Sequence, residues 1–251
     1  MNIDLSTQSV LVTGASGGIG QAIALQLAAS GAQVAIHYHR DAEAANRVAS
    51  QCPGAATFRA DLNDPDETQR LFLDAVTHFG HLTAVVNNAG IAIGTPVEGD
   101  DVAFLDNWER TLRVNLGATA LLCKKAVNHF CEGSGGRIVN IASRAAFRGD
   151  TSEYLAYAAS KGGMVALTRS IARAYGKQHI KAFVVAPGFV RTTMAEDFIQ
   201  RYGEEFVLND IALPTLTQPQ DVAPTVAFLL SGLADHSTGG TIDINAASYP
   251  H

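Results

Sequence analysis

The chain has 251 residues, of which 47% are hydrophobic and 17% charged, with a formal net charge of -6. This length suits one domain, the apolar content excludes a disordered chain, and the acidic balance argues against a nucleic-acid partner, which needs a basic surface. Cys52, Cys123 and Cys131 fit neither a disulfide framework nor a zinc pattern, so we expect free thiols and no metal. With neither a leader pattern nor an apolar run of membrane-spanning length, we expect a cytoplasmic protein with no membrane partner.

Short β-branched runs alternate with amphipathic stretches along the whole chain. The runs predict strands at Ser9–Thr13, Gln33–Tyr38, Ala56–Ala60, Ala84–Asn87, Arg137–Ala142, Lys181–Ala186 and Thr241–Asn245. The stretches predict helices at Ile19–Ser30, Asp41–Gln51, Pro65–Phe79, Asn107–Phe130, Tyr157–Gly176 and Pro219–Leu230. Several strands are apolar on both faces, which is typical of parallel strands that helices cover on both sides.

This order predicts one α/β domain over residues 1–251, a doubly wound (Rossmann-type) seven-stranded parallel sheet flanked by helices. Two longer irregular segments, Ile91–Val102 and Gly188–Thr217, follow predicted strand ends. The carboxyl ends of parallel strands form the ligand-binding edge of such a sheet, so both segments are expected to be binding loops.

A glycine-rich turn, Thr-Gly-Ala-Ser-Gly-Gly-Ile-Gly at residues 13–20, follows the first predicted strand and opens the first helix. Glycines are needed where the backbone turns sharply and approaches a pyrophosphate, and the N–H groups of a helix N-terminus favour phosphate charge. The glycines at 14, 18 and 20 are spaced more widely than in G-x-G-x-x-G, and the lysine of a P-loop is absent. The context predicts a dinucleotide site, with a merely structural turn as the alternative.

The second predicted strand ends in Tyr38-His39-Arg40, where an acidic residue would bind the ribose hydroxyls of NAD. No carboxylate stands at that strand end, and Asp41 is placed to cap the next helix. Arg40, with His39, could instead meet a 2′-phosphate, because guanidinium geometry matches phosphate. We therefore expect NADP(H) in preference to NAD(H); a solvated loop charge is the alternative for Arg40.

Four residues carry the candidate chemistry. Tyr157 and Lys161 share one face of a predicted helix, where a positive charge beside a phenol favours its ionised form and allows proton exchange with an alcohol or ketone. Ser143 ends the fifth predicted strand, where it could donate to a substrate carbonyl oxygen or only cap the strand. Asn115 lies in mid-helix, where asparagine is unfavourable, which indicates a hydrogen-bonding role or an idle side chain.

Together with Asn87-Asn88-Ala89-Gly90, these residues resemble the short-chain dehydrogenase/reductase family over nearly the whole chain. The resemblance implies that Tyr157 is the acid/base, that Lys161 holds the cofactor ribose and lowers the tyrosine pKa, that Ser143 orients the carbonyl, and that Asn115 supports a water-linked proton path. Together with the glycine-rich turn and the basic residues after the second strand, the resemblance predicts a cofactor cleft formed by Gly14, Ser16, Gly18, Ile19, Gly20, His39, Arg40, Asp61, Leu62, Asn88, Ala89, Gly90, Tyr157, Lys161, Pro187, Gly188, Val190 and Thr192.

The chain departs from the family pattern at two places. Ser143 precedes Tyr157 by fourteen positions, one more than the family pattern, so we expect an altered loop between them. The Asp/Asn-Gly-Gly of the last strand reads Asn245-Ala246-Ala247, so we expect altered local geometry there.

Within the family, the chain looks most like the 3-oxoacyl-[acyl-carrier-protein] reductases, on its Thr-Gly-Ala-Ser and Ala-Pro-Gly-Phe runs and its length. That likeness implies a small-molecule carbonyl or alcohol substrate, an acyl-carrier-protein-linked one among the options. It also implies a homotetramer built on the helices predicted at Asn107–Phe130 and Tyr157–Gly176. A mixed substrate pocket is predicted from two loops, with the side chains of Arg144, Phe147, Arg148, Tyr154, Phe189, Met194 and Phe198.

The leading hypothesis is an NADP(H)-dependent ketone reductase that forms a secondary alcohol, with Tyr157 as the proton donor. Two alternatives remain open at this point. One is an alcohol dehydrogenase acting in the oxidative direction with NAD, and the other is a non-catalytic dinucleotide-binding regulator, because a fold does not fix a function.

Overall fold

The structure is a computed structural model that describes residues 3–193, 195, 199 and 203–249. Within these residues, seven parallel strands form one sheet in the order β3-β2-β1-β4-β5-β6-β7. The strands are β1 (Ser9–Val12), β2 (Gln33–Tyr38), β3 (Ala56–Arg59), β4 (Ala84–Asn87), β5 (Gly136–Ile141), β6 (Ile180–Pro187) and β7 (Thr241–Ile244). The predicted doubly wound sheet is confirmed, and its strand order reverses between β1 and β4, where a ligand crevice is expected.

Helices cover both faces of the sheet. In the described part of the chain they are α1 (Gly18–Ala29), α2 (Ala42–Ala49), α3 (Pro65–Phe79), α4 (Asp101–Leu112), α5 (Ala118–Glu132), α6 (Ala145–Arg148), α7 (Leu155–Tyr175), α8 (Glu204–Leu208) and α9 (Pro219–Leu230). A π-helical segment, Arg113–Gly117, joins α4 to α5, and short 3₁₀ turns lie at Gly176–Gln178 and Asp235–Ser237.

The core consists of a buried apolar layer on each face of the sheet. On one face, side chains of α1, α2 and α9 such as Ile23, Val48 and Val226 pack with β-strand side chains such as Val12. On the other, side chains of α3, α5 and α7 pack on alternate strand residues such as Leu11. Because successive strand side chains point to opposite faces, strands that are apolar throughout serve both layers at once.

The helix ends follow the local signals where those signals are strong. The Asp64 carboxylate accepts hydrogen bonds from the Asp66 and Glu67 amides at 2.8 and 3.2 Å, which starts α3 at Pro65 as predicted. Asp41 caps α2 as predicted, since its carboxylate accepts from the Ala44 amide at 2.8 Å. The bounds predicted for α3 and α9, and for β2 and β4, are confirmed to the residue.

The single helix predicted over Asn107–Phe130 is wrong in two respects. It begins earlier, at Asp101, because the Asp100 carboxylate accepts from the Ala103 amide at 2.9 Å and caps α4. It is also interrupted by the π-helical segment around Asn115. Insertions of this kind are rare and often lie at functional sites, and sequence periodicity over a few residues does not reveal them.

Other boundaries shift by a turn or less. The helix predicted to begin at Tyr157 begins at Leu155, and the irregular segment predicted over Gly188–Thr217 contains α8. Ala246 and Ala247 have φ values of 50° and 57°, so these alanines keep a left-handed backbone where the family pattern has glycines.

The three thiols are free, with Cys52 and Cys123 buried and Cys131 exposed near the end of α5. None of the helices in the described part of the chain combines the length and the apolar character needed to cross a membrane.

Candidate active site

The glycine-rich turn between β1 and α1 needs its glycines for two different reasons. Gly14 and Gly18 have positive φ values of 64° and 53°, which side chains rarely adopt. A Cβ on Gly20 would lie 2.2 Å from the Gly14 carbonyl oxygen, so only hydrogen lets α1 pack this closely against the strand end. By contrast, a Cβ on Gly17 would meet nothing within 4 Å, so the turn is open on that side.

The ends of β1 and β4 are joined at the point where the strand order reverses. The Thr13 hydroxyl accepts hydrogen bonds from the Asn88 and Ala89 amides at 2.9 and 3.0 Å. The Asn88 side-chain amide donates to the carbonyl oxygens of Thr13 and Gly14 at 2.9 and 3.2 Å. The predicted residues Asn88 and Ala89 therefore do lie against Gly14, and Thr13, which sequence reasoning missed, holds them there.

His37 is a second residue that sequence reasoning missed. Its side chain, 2% exposed, accepts from the Gly14 amide at Nδ1 (3.0 Å) and lies 3.1 Å from the Ala60 carbonyl oxygen at Nε2. Because Nδ1 accepts, Nε2 carries the proton and donates to Ala60. Burial, opposed by the Ala60 bond and aided by His39, lowers the His37 pKa to about 4, so this imidazole is neutral at physiological pH.

Two basic side chains, His39 and Arg40, follow β2, and no acidic residue stands at the end of that strand. The His39 ring lies 3.6 Å from the Asp61 carboxylate, and both side chains are about two-fifths exposed. Arg40 is exposed, and its guanidinium makes no ion pair or hydrogen bond with the rest of the described chain. Leu62 is buried beside Asp61. Thus His39 already faces a carboxylate, while Arg40 remains available to an anion.

Ser143, Tyr157 and Lys161 are brought together at the carboxyl edge of the sheet. The Ser143 side chain lies close enough to the Tyr157 phenol to oppose the rise in its pKa. The Ser143 oxygen also accepts from the Ala145 amide at 3.1 Å, which leaves its own hydrogen to donate. The Lys161 ammonium lies 5.6 Å from the centre of the Tyr157 ring and donates to the Ile141 carbonyl oxygen at 2.8 Å.

The ionisation of this group differs from the expectation that Lys161 lowers the tyrosine pKa. Burial and the negative charge of Asp150 raise the pKa of Tyr157 to about 12, and they outweigh the opposing hydrogen bond from Ser143. The expected lowering is therefore wrong for this structure, where the Lys161 ammonium is turned to a backbone carbonyl. Lys161 itself is 3% exposed, and burial lowers its pKa to about 8.

Asn115 is fully buried and braces the site. Its side-chain amide donates to the Ile91 carbonyl oxygen at 2.9 Å and to the Ser160 hydroxyl at 3.0 Å, and its oxygen accepts from the Ile91 amide at 2.8 Å. A Cβ on Gly90 would lie 3.3 Å from the Asn115 oxygen and 3.5 Å from the Lys161 ammonium. Asn115 therefore has the predicted hydrogen-bonding role and is not an idle side chain. Gly90, which has no side chain, leaves room between Asn115 and Lys161.

The segment after β6 closes the other side of the cleft. The Gly188 amide donates to the Ile244 carbonyl oxygen at 2.9 Å, and a Cβ on Gly188 would lie 2.7 Å from the Asn245 Cα. Further along, the Thr192 methyl would lie 3.3 Å from a Cβ on Gly18. The predicted residues Pro187, Gly188, Val190 and Thr192 thus run from the sheet edge towards the glycine-rich turn.

The predicted substrate pocket is only partly assembled from the expected side chains. Arg144 and Arg148 both pair with Asp210, a residue that sequence reasoning missed. Phe147 packs on the apolar cluster of β6 and α7. Met194 and Phe198 lie outside the described residues. A cavity of about 610 Å³ is lined by residues before α9 and by residues of the C-terminal segment, such as Leu216, Asp243 and Ala246.

Three comparisons bear on this geometry. The family model described as Enoyl-(Acyl carrier protein) reductase matches residues 14–246. The chain is 35% identical over 250 residues to 3-oxoacyl-[acyl-carrier-protein] reductase FabG of Staphylococcus aureus, covering 97% of this chain and 98% of that protein. It is 33% identical over 268 residues to versicolorin reductase stcU of Emericella nidulans, covering 99% of this chain and 98% of that protein. Among solved structures, a short-chain dehydrogenase from Burkholderia cenocepacia J2315 in complex with NADP superposes with a TM-score of 0.90, at 32% identity and 99% coverage of both chains.

Proposed function

Because the chain belongs to the short-chain dehydrogenase/reductase family of oxidoreductases, we propose that it reduces a ketone to a secondary alcohol with NADP(H), and that Tyr157 donates the proton. The observation that carries the proposal is the grouping of Ser143, Tyr157 and Lys161 at the sheet edge that the glycine-rich turn also reaches. A non-catalytic dinucleotide-binding regulator would need the turn but not this group of side chains.

The residues of the cleft fit a dinucleotide. The positive φ of Gly14 and Gly18, the close packing at Gly20 and the open face at Gly17 leave backbone N–H groups of the α1 N-terminus accessible to a pyrophosphate. Lys161 is the residue expected to hold the ribose hydroxyls. When bound, the nicotinamide supplies a hydride to the carbonyl carbon.

The ionisation of the site favours proton donation. A phenol with a pKa near 12 carries its proton at neutral pH, so Tyr157 has a proton to give, and it gives that proton less readily than a phenol of lower pKa would. Ser143, whose oxygen already accepts from Ala145, has its hydrogen to donate to a carbonyl oxygen and can orient it towards the phenol. The Lys161 ammonium lies in the same buried site, 5.6 Å from the centre of the Tyr157 ring. The oxidative direction would instead require an ionised Tyr157 at the start.

For the cofactor, we propose a preference for NADP(H) over NAD(H). It is supported by Arg40, whose guanidinium is exposed and unpaired within the described residues, and by the absence of a carboxylate at the end of β2. The similar Burkholderia protein is in complex with NADP. The Asp61 carboxylate near His39 limits the contribution of that histidine, so Arg40 is the main determinant.

For the substrate, we propose a 3-oxoacyl thioester, on the likeness to 3-oxoacyl-[acyl-carrier-protein] reductases. Versicolorin is the second candidate, because versicolorin reductase is similar to nearly the same degree. We also propose a cytoplasmic homotetramer in which α4, α5 and α7 form contacts. The exposed apolar side chains of Val102 and Leu105 on α4 support such contacts, and light scattering of the purified protein measures the assembly directly.

The experiment is a substrate panel run with both cofactors: acetoacetyl-CoA, ethyl acetoacetate, a polycyclic ketone and a simple aliphatic ketone, with the matching alcohols in reverse. We expect NADPH-dependent reduction of at least one ketone. Tyr157→Phe should lower kcat by about 100- to 10,000-fold with NADPH affinity nearly unchanged, because only the phenol proton is lost. Tyr175→Phe, at the exposed end of the same helix, is the matched control and should be fully active. Tight NADPH binding with no turnover of any compound would instead favour the regulator.

A further inference from the structure

Two arginines of the loop between Ser143 and Tyr157 share one carboxylate. The Arg144 guanidinium lies 2.6 Å from the Asp210 carboxylate, and the Arg148 guanidinium donates to the two oxygens of the same carboxylate at 3.2 and 3.0 Å. Arg148 also donates to the Ser248 carbonyl oxygen at 3.5 Å. One acidic side chain therefore holds Arg148 of α6 and Arg144, the residue before that helix.

This cluster is more than a solvated surface pair. The Arg144 side chain is 15% exposed and those of Arg148 and Asp210 are each 36% exposed. Burial lowers the pKa of Arg144, and burial raises the pKa of Asp150, a second carboxyl group that interacts with both arginines. Because the Arg144 side chain is mostly buried, its guanidinium would be poorly solvated without Asp210, whereas the charge-assisted hydrogen bonds from Arg148 to Asp210 lie at an exposed position.

The cluster lies where three segments of the chain meet beside the proposed reaction site. Arg144 directly follows Ser143, and its amide donates to the Pro187 carbonyl oxygen at 2.9 Å. Asp210 follows α8, in the long segment between β6 and α9. Just beyond it, the Ala212 amide donates to the Ala246 carbonyl oxygen at 2.8 Å, which ties in the C-terminal segment.

Segment 204–212 has other contacts besides those of Asp210. At its start, Glu204 pairs with Arg191, and both side chains are more than two-fifths exposed. Phe206 is 59% exposed, whereas Val207 is buried. A five-residue helix is not stable by itself in water, so the placement of this segment depends on contacts such as those of Asp210.

We propose that Asp210 is a positioning residue for the substrate: through Arg144 and Arg148 it fixes segment 204–212 against the loop that carries Ser143. The inference rests on the proposed ketone reductase. With the carboxylate in place, the wall of the substrate site is ordered before the ketone arrives. Without it, part of the binding free energy of the substrate must go into ordering that segment, so affinity falls. Once the substrate is bound, Ser143, Tyr157 and Lys161 are unchanged, so the rate at saturation is retained.

The test compares Asp210→Asn with Asp210→Glu and with Glu205→Gln, a matched control that removes an exposed carboxylate of the same segment. With an accepted ketone at saturating NADPH, Asp210→Asn should raise KM about ten-fold or more, since charge-assisted hydrogen bonds are lost. We expect kcat and the directly measured Kd for NADPH to change by less than about two-fold, within the usual effect of a surface substitution. Asp210→Glu should recover most of the loss, and Glu205→Gln should resemble the wild type.

Arg148→Met in the Asp210→Asn background separates a shared cluster from independent effects. If the arginine acts through Asp210, its substitution should add little to KM once Asp210 is already changed. Full multiplication of the two effects would overturn the proposal, as would an unchanged KM or a parallel loss of NADPH affinity in Asp210→Asn.

Amide hydrogen exchange of segment 204–212 supplies a readout that needs no substrate. Exchange there should be faster in Asp210→Asn than in the wild type and the Glu205→Gln control, and equal exchange would overturn the proposal. A wild-type protein that reduces no ketone contradicts the proposed function alone. An active wild type whose KM is the same as that of Asp210→Asn contradicts the positioning role alone.

Discussion

His37 offers a quantitative test of how the fold supports the glycine-rich turn. His37→Leu keeps the buried volume but leaves the Gly14 amide and the Ala60 carbonyl oxygen without the partners they have at 3.0 and 3.1 Å. Each buried group left unsatisfied costs about 1–3 kcal/mol, so the free energy of unfolding at pH 7 should fall by about 4 kcal/mol. His236→Leu makes the same substitution at an exposed position and should have little effect.

The pH dependence of that loss follows from the ionisation of His37. The pKa of His37 is about 4 in the folded protein and 6.5 in the unfolded chain. Between these two pH values the unfolded chain therefore binds a proton that the folded protein does not bind. As the pH falls from 6.5 to 4, this difference destabilises the wild type by about 3 kcal/mol, and His37→Leu escapes it. The cost of the substitution should therefore shrink from about 4 kcal/mol at pH 7 to about 1 kcal/mol at pH 4.

The assay is urea unfolding followed by circular dichroism at several pH values, on the wild type, His37→Leu and His236→Leu. Contributions of the other titrating groups are common to all three proteins and cancel in the differences. A difference between wild type and His37→Leu that stays constant from pH 7 to pH 4 would refute the buried neutral imidazole. A loss below about 1 kcal/mol at pH 7 would refute the two hydrogen bonds.

Three further predictions concern the cofactor, the chemistry and the C-terminal segment. Arg40→Ala should raise the Kd for NADPH and leave the Kd for NADH unchanged. Tyr38→Asp should shift the preference in kcat/KM towards NADH, because the new carboxylate repels the 2′-phosphate. The control Arg47→Ala, on α2, should leave the ratio of kcat/KM for NADPH to that for NADH as in the wild type. Because burial lowers the pKa of Lys161 to about 8, the rate of the wild type should decline above that pH. Lys161→Ala should turn over slowly and bind NADPH weakly, and its rate should not show this decline at alkaline pH. Ala246→Gly should raise the free energy of unfolding by about 0.5–1 kcal/mol, because φ is 50° there; an unchanged value in urea unfolding would contradict this.

The topology could be predicted because its signals are local. The signals are strands that are apolar on both faces, the cap at Asp64 and the glycine after α3. Each depends on only a few neighbouring residues, so the predicted bounds of these elements agree closely with the structure. The residues of the glycine-rich turn, and the grouping of Ser143 with Tyr157, follow from where strands end in such a sheet. These features need no knowledge of distant contacts.

What the sequence did not reveal depends on partners far away in the chain. His37 looks like an ordinary strand residue until Gly14 and Ala60 are brought to its two ring nitrogens. The π-helical turn at Asn115 exists beside the Ile91 backbone, 24 positions away, and Asp210 meets Arg148 across 62 positions. The tyrosine pKa was mispredicted for the same reason, because burial is a property of the assembled site and outweighs the opposing hydrogen bond from Ser143.

The distribution of thiols makes the native chain convenient for spectroscopy. Cys131 is exposed, whereas burial raises the pKa of Cys52 and raises that of Cys123 to about 12. Since the thiolate is the species that attacks an alkylating reagent, a maleimide dye should mark Cys131 alone, with no engineered cysteine. The label would sit on α5, one of the helices proposed to join the subunits. Energy transfer between donor- and acceptor-labelled copies would then follow subunit exchange in the wild-type protein.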